Sequence, residues 1–243
     1  MTQLHGGHYD EESNLVIHGT AFDDQDVRRG FIRKVYAILI AMLTLTFSVI
    51  IGFTTIPVLR SWGQTRVALF VFILLWISAI VLMIVLICNE SLRRSYPHNV
   101  VFLVTLTLIF SFALGITASY TRPFIVLVAI ATTLAIVIAL TAFAFQTKFD
   151  FTILIGILFC LSISLLVFVI LVVLVHSRIL YIIYATLGAF LMSVYIVVDT
   201  QMMMSGKTVQ LDPEEYVFAA LNLYVDIVTL FSYILLLCSG GNQ

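Results

Sequence analysis

Two carboxylates lie where the sequence is otherwise apolar. Asp199 falls at the end of one long apolar run, and Asp226 lies near the middle of the next. An ionised carboxylate near the centre of a bilayer costs about 2.5–3.5 kcal/mol on insertion scales, so such groups usually face the interior of a helical bundle. Two carboxylates in a low-dielectric site cannot both ionise cheaply. We therefore predict that the pair shares a proton or holds a cation between its oxygens.

Two polar residues precede this pair at helical spacing. Asn222 lies one turn before Asp226, and Tyr195 lies one turn before Asp199. Each is expected either to donate to the pair and orient it, or to make an ordinary hydrogen bond between helices. The short connection Thr200–Glu215 makes the two helices neighbours or nearly so. Contact is not required, because Asp226 lies about 15 Å into its helix.

A basic pair, Arg93 and Arg94, ends the second apolar run. Arginine at the end of a span often anchors it at the interface. The sharper interpretation is a latch, in which one of the two arginines pairs with Asp199 and closes the cytosolic mouth of the bundle.

The acidic stretch before the last run looks mainly like a helix start. Asp212 is placed as the N-cap, Pro213 as the first helical residue, and Glu215 as the reciprocal partner of a capping box. The alternative role of Glu214 and Glu215 is an acidic vestibule that faces incoming ions.

Paired aspartates on adjacent helices are also the chemistry of intramembrane aspartyl proteases. Asp226 follows Leu223-Tyr224-Val225, however, so the Gly-x-Gly-Asp signature of those enzymes is missing. We predict that the protein is not an enzyme and needs no cofactor.

The composition is that of an integral membrane protein. Of 243 residues, 62% are hydrophobic and 10% are charged, whereas soluble chains are about 45–50% apolar and about 25% charged. A net charge of −1 offers no basic surface for nucleic acid. Cys88, Cys160 and Cys238 have neither metal-site spacing nor an obvious disulfide pairing, so we expect buried thiols, with palmitoylation of Cys88 as the alternative.

Seven apolar runs are long enough to cross about 30 Å of hydrocarbon as helices. The runs are Val35–Ile56, Val67–Cys88, Val100–Ser119, Phe124–Phe145, Phe151–Val175, Leu180–Val198 and Tyr216–Cys238. They predict an all-α membrane domain over residues 34–238. An acidic tail over residues 1–33, expected to be disordered, precedes it, and a short tail over residues 239–243 follows. Because the N-terminus is polar, the first span is expected to act as its own insertion signal.

The distribution of basic residues predicts which side of the membrane the N-terminus faces. If every run crosses the membrane, eight of the twelve Lys and Arg fall on the side of the N-terminus. These eight are Arg28, Arg29, Arg33, Lys34, Arg93, Arg94, Lys148 and Lys207. The positive-inside rule then places the N-terminus in the cytosol.

Several motifs, in order and spacing, resemble the transmembrane BAX inhibitor motif family, and within it the Lifeguard, or glutamate-receptor-associated, branch. The resemblance covers about Asp26 to Cys238. It rests on Phe31-Ile32-Arg33-Lys34-Val35-Tyr36, Phe145-Gln146-Thr147-Lys148-Phe149-Asp150-Phe151-Thr152, Val198-Asp199-Thr200-Gln201, Pro213-Glu214-Glu215-Tyr216 and Leu223-Tyr224-Val225-Asp226.

This resemblance implies a bundle of seven helices, or of six helices plus a C-terminal re-entrant one, with the last helix central. It implies residence in the endoplasmic reticulum, the Golgi or other endomembranes, and in some members the plasma membrane. It also implies a pH-sensitive calcium leak from stores and suppression of apoptosis. The positions matching the family's di-aspartyl proton and calcium sensor are Asp199 and Asp226, and those nearest its basic latch are Arg93 and Arg94.

The chain departs from the family pattern in two places. Some relatives carry a carboxylate within the second helix, where this chain offers only Glu90 at its end. The tail is short and acidic rather than rich in Pro and Gly, so partner binding by that tail is not carried over.

An alternative function remains, that of a non-conducting anti-apoptotic regulator acting through death receptors, BCL-2-type proteins or calcium channels. A seven-helix receptor fits less well, because the N-terminus is predicted inside and the loops are very short.

Overall fold

The computed structural model describes residues 9–95, 97–204 and 207–240. Side chains are described from residue 26 onwards, except those of residues 90 and 94. The helices in chain order are α1 (Tyr9–Thr55), α2 (Pro57–Gly63), α3 (Arg66–Cys88), α4 (Glu90–Arg94), α5 (His98–Ser119), α6 (Pro123–Gln146), α7 (Ile155–Val175), α8 (Arg178–Met202) and α9 (Tyr216–Cys238). Short 3₁₀ turns, Phe151–Leu154 and Pro213–Glu215, lead into α7 and α9.

Seven helices in the described part of the chain are long and apolar enough to cross a membrane. They are α1, α3, α5, α6, α7, α8 and α9, so the predicted all-α seven-helix bundle is confirmed. The short helices α2 and α4 connect spans. The guanidinium of Arg178, where α8 begins, donates to the carbonyl of Gly240 at 2.7 Å. The end of α9 therefore lies beside the start of α8, and the two helices run antiparallel along the length of α8.

The last helix is also the centre of the bundle, as expected. Half of the residues in an apolar 18-residue stretch of the last span, Pro213–Cys238, are buried, against 11% in the corresponding stretches of the spans that contain α3 and α7. It packs against α1, α5, α6 and α8, and Leu221, Tyr224 and Phe231 are fully buried along it. The helices α3 and α7 form the lipid-facing rim.

Hydroxyl groups join three of these helices in the middle of the bundle. The Thr46 hydroxyl lies 2.8 Å from that of Tyr224 and 2.9 Å from that of Ser111. Ser111 in turn donates to the carbonyl of Thr107 at 2.6 Å. All four residues are buried. Because the hydroxyls satisfy one another, this cluster stabilises the packing of α1, α5 and α9.

The two ends of the bundle carry different charged residues. One end, here called the basic end, holds Arg28, Arg93, Lys148 and Lys207. At the opposite end, the side-chain amide of Gln64 donates to the carbonyl of Ser119 at 2.7 Å, and Arg60 donates to the same carbonyl at 3.3 Å. These bonds hold the short helix α2 over the end of α5.

The structure differs from the sequence expectations at the first helix. The backbone of α1 begins at Tyr9 and passes without a break through the predicted boundary between residues 33 and 34. A disordered tail was expected there. Residues 1–8 and the side chains of residues 9–25 lie outside the described part of the chain.

The sixth span is longer than its apolar run, which ends at Val198. Helix α8 continues to Met202, and Asp199, Thr200 and Gln201 are buried despite being polar. The expectation of buried thiols is wrong, because Cys88, Cys160 and Cys238 are all exposed. They lie in or at the end of spanning helices, whose outer surface faces lipid.

A close approach at Gly115 gives a stability prediction. A Cβ on Gly115 would lie 2.6 Å from the ring of Phe53, which is buried against Trp62 and Phe112. We expect Gly115→Ala to destabilise the fold, because overpacking costs about 1–3 kcal/mol and outweighs the gain in helix propensity of at most about 1 kcal/mol. Thermal unfolding in detergent measures the effect.

The matched control is Gly30→Ala in α1, where nothing lies within 4 Å of the added Cβ. It should leave the melting temperature unchanged or raise it. A Gly115→Ala protein as stable as the Gly30→Ala protein would show that Phe53 can move away without cost.

Candidate functional site

The structure brings Asp199 and Asp226 together. Their side chains are hydrogen-bonded to each other across the contact between α8 and α9. Asp199 is 8% exposed, and the second oxygen of Asp226, Oδ2, is buried without a partner. Because a carboxylate has no proton to donate, a hydrogen bond between two carboxyl groups requires a proton on one of them. The geometry is that of a proton-sharing pair.

The helix ends explain how the two carboxyl groups reach each other. Helix α8 extends past Asp199 to Met202, and the N–H of Leu211 donates to the carbonyl of Met202 at 2.9 Å. The chain therefore turns back tightly before α9, and the two helices then pack closely along each other. Their packing closes the offset in depth that the sequence left open.

The residues expected to support the pair do not contact it. The hydroxyl of Tyr195 lies 3.0 Å from that of Ser162 on α7, so of the two predicted alternatives Tyr195 makes the ordinary hydrogen bond between helices. The side-chain amide of Asn222 makes no hydrogen bond within the described residues. No N–H or O–H group in that part of the chain donates to either aspartate, other than the two carboxyls themselves.

Sequence reasoning missed a group of three hydroxyls that includes Thr200, the residue after Asp199. The Tyr36 hydroxyl on α1 faces those of Thr200 on α8 and Thr141 on α6. The hydroxyl oxygens of Tyr36 and Thr200 are buried, and neither makes a well-formed hydrogen bond. Buried unpaired polar atoms are rare in proteins and are the places where water or an ion binds. The signals were present, since Tyr36 ends one quoted motif and Thr200 follows Asp199.

The basic side chain at the mouth pairs differently from the prediction. A guanidinium nitrogen of Arg93 lies 3.2 Å from a carboxylate oxygen of Glu215, and the guanidinium stacks on the ring of Phe218 at 4.7 Å. Arg93 therefore ties α4 to the start of α9 through Glu215, and it forms no ion pair with Asp199. The side chains of Arg94 and Glu90 lie outside the described part of the chain.

The acidic stretch before α9 is a helix start, as predicted. The side chain of Asp212 accepts a hydrogen bond from the N–H of Glu214 at 2.9 Å, and Pro213 occupies the first position of the turn. Glu214 is exposed. Glu215 is buried and holds Arg93.

The two carboxyl groups supply only part of a calcium coordination shell. Calcium takes six to eight oxygen ligands, and the described residues contain no group of three or more His, Cys, Asp or Glu that could hold a metal ion. The two carboxyls, with the free Oδ2 of Asp226, can coordinate Ca²⁺ only if water completes its shell.

Comparisons with known proteins agree with this architecture. The family model described as inhibitor of apoptosis-promoting Bax1 (Bax1-I) matches residues 28–243. The chain is 33% identical to human "Protein lifeguard 3" and 32% identical to its mouse counterpart, in each case over 97% of this chain and 78% of the relative. It is 28% identical to "Protein LIFEGUARD 3" of Arabidopsis thaliana, over 90% of this chain and 88% of the relative. With its seven membrane-spanning helices and a buried carboxyl pair on the last two, the chain belongs to the Bax1-I family of multi-pass membrane proteins, in which it is similar to the Lifeguard proteins.

Proposed function

We propose that this protein is a pH-sensitive calcium leak pathway of intracellular stores that suppresses apoptosis, with Asp199 and Asp226 as its proton and calcium sensor. The observation that carries the proposal is the hydrogen-bonded carboxyl pair on the central helix and its neighbour. Such a pair binds either a proton or a cation, because both use the same oxygens.

The mechanism follows from this competition. With one proton shared, the pair carries one negative charge and its two carboxyls hold α8 and α9 together. Loss of that proton places two negative charges side by side, and Ca²⁺ replaces the proton as the group that offsets their repulsion. The flux of calcium through the bundle therefore varies with pH.

The ion pair of Arg93 and Glu215 closes the basic end of the bundle in this proposal. It joins α4 to the turn that leads into α9, at Glu215, eleven residues before Asp226. The basic end faces the cytosol, since it carries eight of the twelve Lys and Arg. Calcium then arrives from the lumen of the endoplasmic reticulum, the Golgi or a related store.

Suppression of apoptosis is the consequence of a lower store content. A slow leak leaves less calcium for release during death signalling. The match to a family described as inhibitors of apoptosis-promoting Bax1 supports this role.

The test is calcium efflux from proteoliposomes that contain the purified protein or its Asp199→Asn/Asp226→Asn double variant, measured from pH 6 to pH 8. We expect the wild type to leak with a pH dependence that the double variant loses. If neither protein passes calcium above empty vesicles, the leak proposal fails, and the non-conducting regulator that acts through protein partners takes its place.

A further inference from the structure

Two loops at the basic end are joined by a carboxylate that is fully used in hydrogen bonding. Asp150 follows α6, and its Oδ1 accepts from the N–H and hydroxyl of Thr152 at 3.0 and 2.7 Å. Its Oδ2 accepts from the N–H and hydroxyl of Thr208, in the loop between α8 and α9, at 2.8 and 2.9 Å. The N–H of Val209 donates to the Thr152 hydroxyl at 3.2 Å. Both oxygens of Asp150 therefore serve the junction between the two loops.

A buried glutamine joins the same loop to α8. Gln201 is fully buried, its Oε1 accepts from the N–H of Phe151 at 2.7 Å, and its Nε2 donates to the carbonyl of Phe149 at 2.9 Å. One side chain thus satisfies the two main-chain groups on either side of Asp150. Gln201 lies two residues after Asp199 in the last turns of α8.

We propose that Asp150, Thr152, Gln201 and Thr208 form a loop clamp that positions Asp199 against Asp226. Gln201 fixes the final turn of α8 to the loop before α7, and Asp150 fixes that loop to the loop before α9. Asp199 cannot rotate or shift along α8 without breaking the bonds of Gln201. This inference rests on the proposed function only for its effect on calcium leak, because the positioning is a property of the fold.

Asp150 keeps its negative charge over the pH range in which the charge of the Asp199–Asp226 pair is proposed to change. Four hydrogen bonds from Thr152 and Thr208 hold the pKa of Asp150 well below its usual range. Because the pKa of Asp150 is lower in the folded protein than in the unfolded chain, its ionised carboxylate stabilises the fold at pH values above the ordinary aspartate pKa of about 3.9. This stabilisation is lost only as the pH falls through the pKa of the folded protein. The nearby cations are Lys207, whose Nζ donates to the carbonyl of Phe149 at 3.4 Å, and the exposed Lys148. Across pH 6–8 the clamp is therefore constant.

The first measurement reports the position of the pair without any calcium flux. Asp199→Cys and Asp226→Cys are combined in a chain whose Cys88, Cys160 and Cys238 are replaced by Ser. Because a direct disulfide needs tightly limited Cα separations, a short bis-methanethiosulfonate reagent joins the two thiols. We expect Gln201→Met, which keeps the side-chain length but removes both hydrogen bonds, to slow this cross-linking several-fold.

The matched control is Gln64→Met at the opposite end of the bundle. Gln64 also donates to a main-chain carbonyl, that of Ser119 at 2.7 Å, so the variant loses the same kind of bond far from the pair. It should cross-link at the rate of the parent chain.

A milder variant, Asp150→Asn, tests the clamp in a protein that keeps its native cysteines and both members of the pair, Asp199 and Asp226. Asparagine cannot accept four hydrogen bonds through two oxygens. We expect exchange of the Thr208 and Val209 amides with deuterium to speed up by about tenfold. The pH midpoint of calcium leak should move by about half a unit or more.

The possible results separate the two proposals. Unchanged cross-linking in Gln201→Met, or amide exchange in Asp150→Asn that matches the wild type, overturns the clamp. Slower cross-linking with no calcium leak in any protein sustains the clamp and refutes the leak. A leak whose pH midpoint stays fixed while exchange rises shows that the clamp orders the loops without positioning the pair, which also overturns the proposal.

Discussion

Replacing Asp226 with asparagine is expected to abolish the pH dependence of calcium leak in a protein that still folds. Asparagine has the same shape, and its amide donates to the carboxylate of Asp199, so the contact between α8 and α9 survives. The pair then has no shared proton to lose, and only one carboxylate remains to offset the charge of Ca²⁺. Efflux from proteoliposomes should therefore become nearly flat between pH 6 and pH 8.

The same variant separates the leak from the regulator in cells. If suppression of apoptosis comes from the leak, Asp226→Asn should weaken protection against a calcium-dependent death stimulus. A regulator that acts only through protein partners predicts intact protection. The matched control is Asp212→Asn at the N-cap of the turn before α9, because asparagine caps helices about as well as aspartate. Full protection by Asp226→Asn, at equal protein levels, would refute the link between the pair and survival.

The second large effect, on stability and on the rate of leak, is expected from breaking the ion pair between Arg93 and Glu215, which is proposed to close the basic end. Glu215→Ala leaves the guanidinium of Arg93 largely buried and without its carboxylate, and the Nε of Arg93 already lacks a partner. Removing one member of a buried pair costs about 3–5 kcal/mol, and this pair is 18% and 11% exposed, which places it near the lower bound. We expect a lower melting temperature and a several-fold faster leak at constant pH.

An exposed ion pair in the same structure provides the control. Arg29 and Asp26 lie 3.7 Å apart with side chains 75% and 79% exposed. Exposed pairs contribute about 0–1 kcal/mol, so Arg29→Ala should change neither stability nor leak measurably. If Glu215→Ala leaks at the wild-type rate although its melting temperature falls, the ion pair is structural and does not close the mouth.

The spans were predictable because each one is set by a property of its own sequence. Apolar runs of sufficient length fix where helices cross, and Asp212 and Pro213 fix where the turn before α9 begins. The sixth span was underestimated because Asp199, Thr200 and Gln201 look like the start of a polar loop. Their burial depends on partners from other elements, which hydropathy does not report.

The contacts of the site were less predictable for the same reason. Tyr195 shares a helix face with Asp199 at one-turn spacing, yet its hydroxyl reaches Ser162 on α7. Glu215 has capping-box spacing, and that spacing gives no sign that its carboxylate binds Arg93 on α4. Spacing gives the direction of a side chain only to within a sector of the helix surface, and which neighbour lies there is decided by packing.

Several of the bonds that hold the ends of the bundle run from one side chain to main-chain atoms. Gln201 binds the backbone of residues 149 and 151, Gln64 binds the carbonyl of Ser119, and Arg28 donates to the carbonyl of Leu211 at 2.7 Å. Every residue type presents these main-chain groups, so each bond constrains the identity of one partner and leaves the other free to vary. The residues of the loops can therefore change while a few long polar side chains keep the loop backbone in place. Substitutions in the loops that keep the path of the backbone leave these bonds intact.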